Sequence, residues 1–355
     1  MVNQNEFMSF PVPSISAIPI KIGPISTHLP ARVLTNDELG VVFETWTADK
    51  IYEKTGIATR HIADADETAL DLGVSAAKKL FAKYAIEANS IDFLILCTQA
   101  PDFLLPSSAC IMQDRLGLEK STGALDITLG CSGFVYGLSL AAGLIAGGMA
   151  DRVLLVTADT YSKFINPLDR SVRTLFGDGA AATIIDRAPD GDTATIGCFV
   201  FGTDGKGSHD LIVKTGGARQ PKSHETAIEE IDDFGNTRSA DNLFMNGTAV
   251  LSFSLREIPR TYKKIIEKAG LTDDEIDFVV MHQANRFMID ALRKKMKLPI
   301  EKVPCHFEKI GNTVSSSIPF VLEEMVRTGQ LTQGMQLVLL GFGVGLSWAG
   351  CIVTI

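Results

Sequence analysis

Hydrophobic and polar positions follow two regimes along the 355-residue chain. Short, unbroken apolar runs stand at Ile91–Cys97 (IDFLILC), Arg152–Thr157 (RVLLVT), Ala180–Asp186 (AAATIID), Ile276–Met281 (IDFVVM) and Gln336–Leu340 (QLVLL). Runs of this length without polar alternation predict strands covered on both faces. Between them, apolar residues recur at helical spacing over Ala69–Tyr84, Ser132–Gly147, Val250–Ala269, Phe287–Met296 and Ser315–Thr328. The alternation of strand and helix predicts an α/β fold with helices layered on its sheets. Leu138–Ala150 (LSLAAGLIAGGMA) is the longest apolar stretch. It is too short to span a bilayer and predicts a helix buried in protein.

The pattern also repeats. Residues 77–93 read AKKLFAKYAIEANSIDF and residues 262–278 read YKKIIEKAGLTDDEIDF, an ungapped offset of 185 (262 − 77). Lys78/Lys263, Lys79/Lys264, Lys83/Lys268, Ile91/Ile276, Asp92/Asp277 and Phe93/Phe278 are identical. Gly148-Met149 and Gly334-Met335 precede two of the predicted strands at nearly the same offset. Two such pairs in the same order predict a duplicated βα unit, with halves at 1–190 and 191–355. Between them, about Gly202–Asn242 is polar and rich in Gly, Asp and Ser, either a functional lid or a mobile loop.

Composition narrows the function. Lys+Arg 33 against Asp+Glu 42 gives a net charge of −9, a poor starting point for general nucleic-acid binding. The N-terminus has no basic region or cleavage pattern, so a cytoplasmic protein without a membrane span is expected. Six dispersed cysteines with no CxxC pair read as thiols in a reducing compartment.

Among those thiols, Cys131 stands out. It lies in Gly130-Cys131-Ser132-Gly133, where a strand-like segment gives way to a Gly/Ala-rich helix. At a helix N-terminus the free N–H groups and the dipole favour thiolate, so a lowered pKa is expected. The other five cysteines sit in or beside apolar runs and read as packing residues. His282 follows the strand IDFVVM, at the strand end where α/β folds present site residues; a hydrogen-bonded core histidine is the alternative. Asn312, in Gly311-Asn312-Thr313, precedes a helix and reads either as its N-cap or as a functional amide. The turn Gly341-Phe342-Gly343-Val344-Gly345 lacks dinucleotide-fingerprint spacing and instead suits a close approach that aims a backbone N–H at a reacting oxygen.

Together these residues resemble the β-ketoacyl-acyl-carrier-protein synthase III family of thiolase-like condensing enzymes. The resemblance runs from about Ile20 to Ile355. It includes Lys54-Thr-Gly-Ile-Ala-Thr-Arg-His61, Pro106-Ser-Ser-Ala-Cys110, Phe176-Gly-Asp-Gly-Ala180 and His282-Gln-Ala-Asn285 beside the motifs above. It implies a layered fold of two similar halves and a Cys131–His282–Asn312 triad, with backbone N–H groups of Cys131 and Val344 facing an oxyanion. It implies acyl transfer to Cys131, then decarboxylative Claisen condensation with a malonyl carrier thioester, without a metal or redox cofactor. A plain acyltransferase and a non-catalytic partner subunit are the alternative readings. Thiolases carry a second Cys in the C-terminal glycine turn, and elongating relatives use Cys-His-His; neither pattern is present here.

The resemblance further implies substrate-binding roles at Arg170, Leu105, Gly247 and Phe287. Carrier docking is expected at Arg286, Arg293, Lys294, Lys295 and Lys297, a cluster that also reads as an ordinary solvated helix face. Some positions depart from the family. A tryptophan and an arginine appear as Lys50 and Lys54, another arginine as Phe287, and the phenylalanine at a partner-subunit gate as Leu105. An acyl carrier protein and a homodimeric partner are the implied associates.

Overall fold

The computed structural model describes residues 19–189 and 191–355; the N-terminal stretch read for a leader lies outside them. The first half comprises Ile20–His28 (β1), Arg32–Thr35 (β2), Asn36–Val42 (α1), Ala48–Thr55 (α2), Thr59–Ile62 (β3), Ala69–Tyr84 (α3), Phe93–Cys97 (β4), Ser108–Arg115 (α4), Gly123–Ile127 (β5), Gly133–Ala146 (α5), Arg152–Asp159 (β6), Arg170–Arg173 (α6) and Gly179–Arg187 (β7). The second comprises Thr195–Thr203 (β8), Leu211–Val213 (β9), Glu230–Ile231 (β10), Thr237–Arg238 (β11), Leu243–Met245 (β12), Gly247–Ala269 (α7), Phe278–Met281 (β13), Arg286–Met296 (α8), Ser317–Arg327 (α9), Gln336–Gly343 (β14) and Ser347–Thr354 (β15).

Two sheets organise the molecule. One runs β1-β7-β6-β4-β5 and the other β8-β15-β14-β13, read from the corresponding edge. In the first, β4 is parallel to β6 and β6 antiparallel to β7. In the second, β13 is parallel to β14 and β14 antiparallel to β15. Each half therefore repeats the same strand order, and β5 is the extra edge strand of the first.

The local repeat holds residue by residue. The helix end, the short 3-10 turn and the strand start fall at Tyr84, Ala88–Ser90 and Phe93 in one half and at Ala269, Asp273–Glu275 and Phe278 in the other. The identical Asp92 and Asp277 do the same work. Asp92 accepts the Asp151 and Arg152 N–H groups at 2.8 and 2.9 Å, and Asp277 accepts the Gln336 N–H at 2.7 Å. Each carboxylate thus starts the next parallel strand by satisfying its exposed N–H groups.

Layering explains the unbroken apolar runs. Leu154 and Val156 of β6 pack with α3, whereas Val153 and Leu155 pack with α5. Val338 and Leu340 of β14 pack with α7, whereas Leu337 and Leu339 pack with α5 and α9. The order is therefore helix, sheet, helix pair, sheet, helix. Each fully buried Leu or Val contributes about 1.5–3 kcal/mol over an exposed one. Glycine in α5 permits close packing: a Cβ at Gly137 would stand 2.6 Å from Leu155. No described helix is long and apolar enough to cross a membrane.

Candidate active site

Cys131 sits where β5 passes into α5, between the two sheets. Three glycines let backbones converge on it. A Cβ at Gly133 would stand 2.2 Å from Cys97 Sγ; one at Gly341 would meet the Cys131 carbonyl at 2.9 Å, and one at Gly343 its Sγ at 2.9 Å. Only glycine fits such approaches. The C-terminal glycine turn is thereby laid against the thiol, and the Ser132 and Ser347 hydroxyls link the halves at 2.5 Å.

The electrostatics differ from the sequence expectation of a lowered pKa. Burial and the Asp159 charge push the Cys131 thiol up to about 12. The neighbouring backbone N–H groups of Cys131 and Val344 act in the opposite direction, but they do not outweigh desolvation. The remaining cysteines are free thiols: Cys97 and Cys351 are buried, Cys198 is half-buried, and Cys110 and Cys305 are exposed. These last two are therefore not core packing residues; Cys110 lies on the outer side of α4, receiving the Ser107 hydroxyl at 3.1 Å.

His282 extends β13, with its N–H donating to the Leu340 carbonyl at 2.8 Å. Its Nδ1 lies 2.7 Å from the Ser317 hydroxyl, which also receives the Gln283 N–H at 3.3 Å. Phe342 stands edge-on to the ring at 5.6 Å. Burial pushes the imidazole down to about 3, with a Val314 backbone hydrogen bond pulling the other way. His282 is therefore neutral at physiological pH.

Asn312 is not the N-cap of α9. That position is Ser316, and Asn312 lies in the preceding loop, paired as a parallel bridge with Phe176. Its N–H donates to the Leu175 carbonyl at 2.9 Å, and its carbonyl accepts the Gly177 N–H at 3.0 Å. The motifs around Gly177 and Gly311 thus meet backbone to backbone; a Cβ at Gly177 would stand 2.2 Å from the Ile310 carbonyl. The Val314 N–H donates to Asn312 Oδ1 at 3.0 Å. Since a backbone N–H only donates, it fixes the amide orientation and leaves Nδ2 as the free donor.

Cys131, His282 and Asn312 line one cavity of about 730 Å³. Arg170, Gly247 and Phe287 line it as well. Leu105 does not: it is 86% exposed on the loop before α4, together with Phe103 and Leu104. Val344 contributes its N–H rather than a cavity wall. Arg286 lies over the Phe307 ring at 5.7 Å and 3.9 Å from Glu308. Lys294, Lys295 and Lys297 are exposed at the end of α8, but Arg293 turns inward, donating to the Leu298 carbonyl at 3.2 Å.

Other wall residues were not singled out in the sequence. Trp46 lines the cavity, with Arg170 5.1 Å and Lys50 5.4 Å from its ring centroid. An aromatic ring therefore stands at the mouth four residues before Lys50. The polar segment at 202–242, within the second half, supplies Asp232, Phe234, Asn236 and Arg238 to the wall. Arg238 is clamped to buried Asp169 at 2.6 Å and to Asp232 at 2.8 Å, and Arg170 donates to the Phe234 carbonyl. That segment is a tethered side of the cavity.

Family comparisons agree with this architecture. Residues 125–205 match the model of 3-oxoacyl-[acyl-carrier-protein] synthase III, and residues 266–355 match its C-terminal counterpart. The chain is 36% identical over 327 residues to a β-ketoacyl-[acyl-carrier-protein] synthase III of Caldanaerobacter subterraneus subsp. tengcongensis, covering 92% of this chain and 95% of that one. One from Clostridioides difficile is also 36% identical, covering 93% and 96%. A crystal structure of a 3-oxoacyl-(acyl-carrier-protein) synthase III superposes with a TM-score of 0.93 at 56% identity, covering 95% of this chain and 100% of that one. The Burkholderia xenovorans enzyme superposes at 0.86 with 36% identity, covering 95% and 94%. With its duplicated, thiolase-like α/β layers, the chain belongs to the β-ketoacyl-acyl-carrier-protein synthase III family.

Proposed function

We propose that the protein joins an acyl group to a malonyl unit by decarboxylative condensation, with Cys131 as nucleophile. The convergence of Cys131, His282 and Asn312 from separate elements onto one cavity carries this reading. In the first stage the Cys131 sulfur bonds the acyl carbonyl carbon, the donor thioester C–S bond breaks, and the departing thiol takes the Cys131 proton. The neighbouring N–H groups of Cys131 and Val344 stabilise the oxyanion.

In the second stage the malonyl C–CO₂ bond breaks and its electron pair forms an enolate. Neutral His282 and the Nδ2 of Asn312 donate to the enolate oxygen. For His282 this requires hydrogen on the nitrogen opposite Nδ1, a tautomer favoured if Ser317 accepts from Gln283 and donates to Nδ1. The enolate carbon then attacks the acyl-Cys carbonyl; the new C–C bond forms, the Cys131 C–S bond breaks, and the thiolate takes a proton from solvent. CO₂ release drives the step, so no resident cofactor is required.

The acyl carrier protein is the proposed partner. Lys294, Lys295 and Lys297 supply exposed positive charge on an acidic chain, so transfer from the carrier should slow as salt rises. A thiol nucleophile also favours a reducing, cytoplasmic setting.

Intact-protein mass spectrometry with acyl-coenzyme A and acyl-carrier donors tests the reading. One acyl mass on the wild type, its absence in Cys131→Ala, and a β-ketoacyl product after malonyl carrier is added are expected. No acyl mass with any donor would refute the nucleophile; acylation without condensation would favour plain acyl transfer.

A further inference from the structure

The loop carrying Asn312 is held by three consecutive serines. Ser315 donates to Asp159 Oδ2 at 2.5 Å, Ser316 lies 2.9 Å from the Thr157 hydroxyl, and the Ser317 hydroxyl meets His282. All three side chains are buried. Two of their partners, Thr157 and Asp159, stand at the end of β6 in the opposite half. The Cys131 half thus grips the loop that supplies Asn312.

Asp159 is the charged member of this grip. It is fully buried, and its other oxygen receives the Gln99 N–H at 2.9 Å. The Ser315 N–H approaches it at 3.4 Å. A carboxylate in such a place is costly to desolvate, and a buried polar group of this kind is weak evidence for stability. Its geometric effect is specific. Fixing Ser315 fixes the turn in which Val314 holds a left-handed φ of 53°, unusual for a β-branched residue. The Val314 N–H in turn orients the Asn312 amide.

We propose that Asp159 is a positioning residue: through Ser315 and the Val314 N–H it holds the Asn312 amide in the orientation required for decarboxylation. The inference rests on the proposed role of Asn312. It locates a determinant of the second chemical stage on a strand of the Cys131 half, away from the reacting atoms.

Three variants separate positioning from general structural support. Ser315→Ala removes the tether. Asp159→Ala removes its acceptor. Asp159→Asn keeps the tether with its direction reversed, since the amide oxygen accepts from Gln99 and the amide nitrogen donates to the Ser315 hydroxyl. Acylation of Cys131 by an acyl thioester and CO₂ release from malonyl carrier protein are measured separately, with thermal unfolding as a check.

Ser315→Ala and Asp159→Ala should slow CO₂ release by about tenfold or more while acylation is slowed by no more than about threefold. Asp159→Asn should restore most of the decarboxylation rate. Equal slowing of both stages, wild-type CO₂ release in Ser315→Ala, or failure of Asp159→Asn to recover it would overturn the proposal. A wild type that neither acylates at Cys131 nor releases CO₂ would instead refute the underlying catalytic reading.

Discussion

His282 and Asp159 are both displaced from their ordinary protonation behaviour by burial, with opposite consequences for stability. Burial holds His282 at about 3 in the fold, against 6.5. Between those values the unfolded chain takes up a proton that the folded chain refuses. This contribution is therefore present above pH 6.5 and is lost as pH falls toward 3. Asp159 is pushed up to about 7 from 3.8, by burial first, against the Ser315 and Gln99 hydrogen bonds that lower it, with nearby Asp178 adding to the rise. Here the folded chain retains a proton that the unfolded chain releases. Its destabilising effect grows as pH rises from 3.8 and is complete above about 7. Asp159→Asn should accordingly raise the melting temperature more at pH about 8 than at pH about 5. Thermal unfolding of both proteins across this range measures the difference. An equal change at both ends would show that the carboxylate is not destabilised by ionisation in the fold.

At the element scale, α5 shows how a packing requirement becomes a catalytic one. Its first residue, Gly133, faces Cys97 at the end of β4, where a Cβ would stand 2.2 Å from the sulfur. Gly133→Ala should cost about 1–3 kcal/mol through overpacking and move the turn that carries Cys131. Cys97→Ala removes the obstructing sulfur, because the nearest remaining Cys97 atom would be an ordinary 3.7 Å from the new Cβ. The double variant should therefore recover much of the stability and Cys131 acylation lost in the single one, a coupling measurable by a double-mutant cycle. Additive losses would show that the glycine serves another purpose. This requirement was only partly legible in the sequence. Gly130 and Gly133 flank the Cys131 thiol in the sequence, but that Gly133 meets the Cys97 sulfur depends on how β4 and α5 pack. The 185-residue repeat was more informative because Asp92 and Asp277 perform the same local bonding. Asn312 was the opposite case. Its side chain matches that of a helix cap, and only the structure shows Ser316 in that position while the Asn312 backbone bridges to Phe176.

At the scale of the whole molecule, the single chain leaves an apolar surface uncovered, and we propose that a second copy covers it. Leu104 and Leu105 are 84% and 86% exposed, and Phe103 is 58% exposed. The loop lies beside β5, because β5 residue Asp126 receives the Ser108 and Ala109 N–H groups at the start of α4, both at 2.7 Å. β5 itself is the edge of the five-stranded sheet, with every residue half-buried. An apolar loop beside an edge strand has the character of an association surface, which is what carries this proposal. The motif that carries Leu105 was visible in the sequence, yet the proposed role across an interface cannot follow from local spacing, because the surface that would receive it lies on another chain. A second copy covering this region should make sedimentation equilibrium report twice the chain mass. Replacing Leu104 and Leu105 together by Asp should shift the protein toward the single-chain mass and lower condensation activity, while the Cys131 turn and the Asn312 loop, built within one chain, retain their packing. If the wild type sediments as a single chain, or if the double variant remains dimeric with full activity, this loop is not the interface.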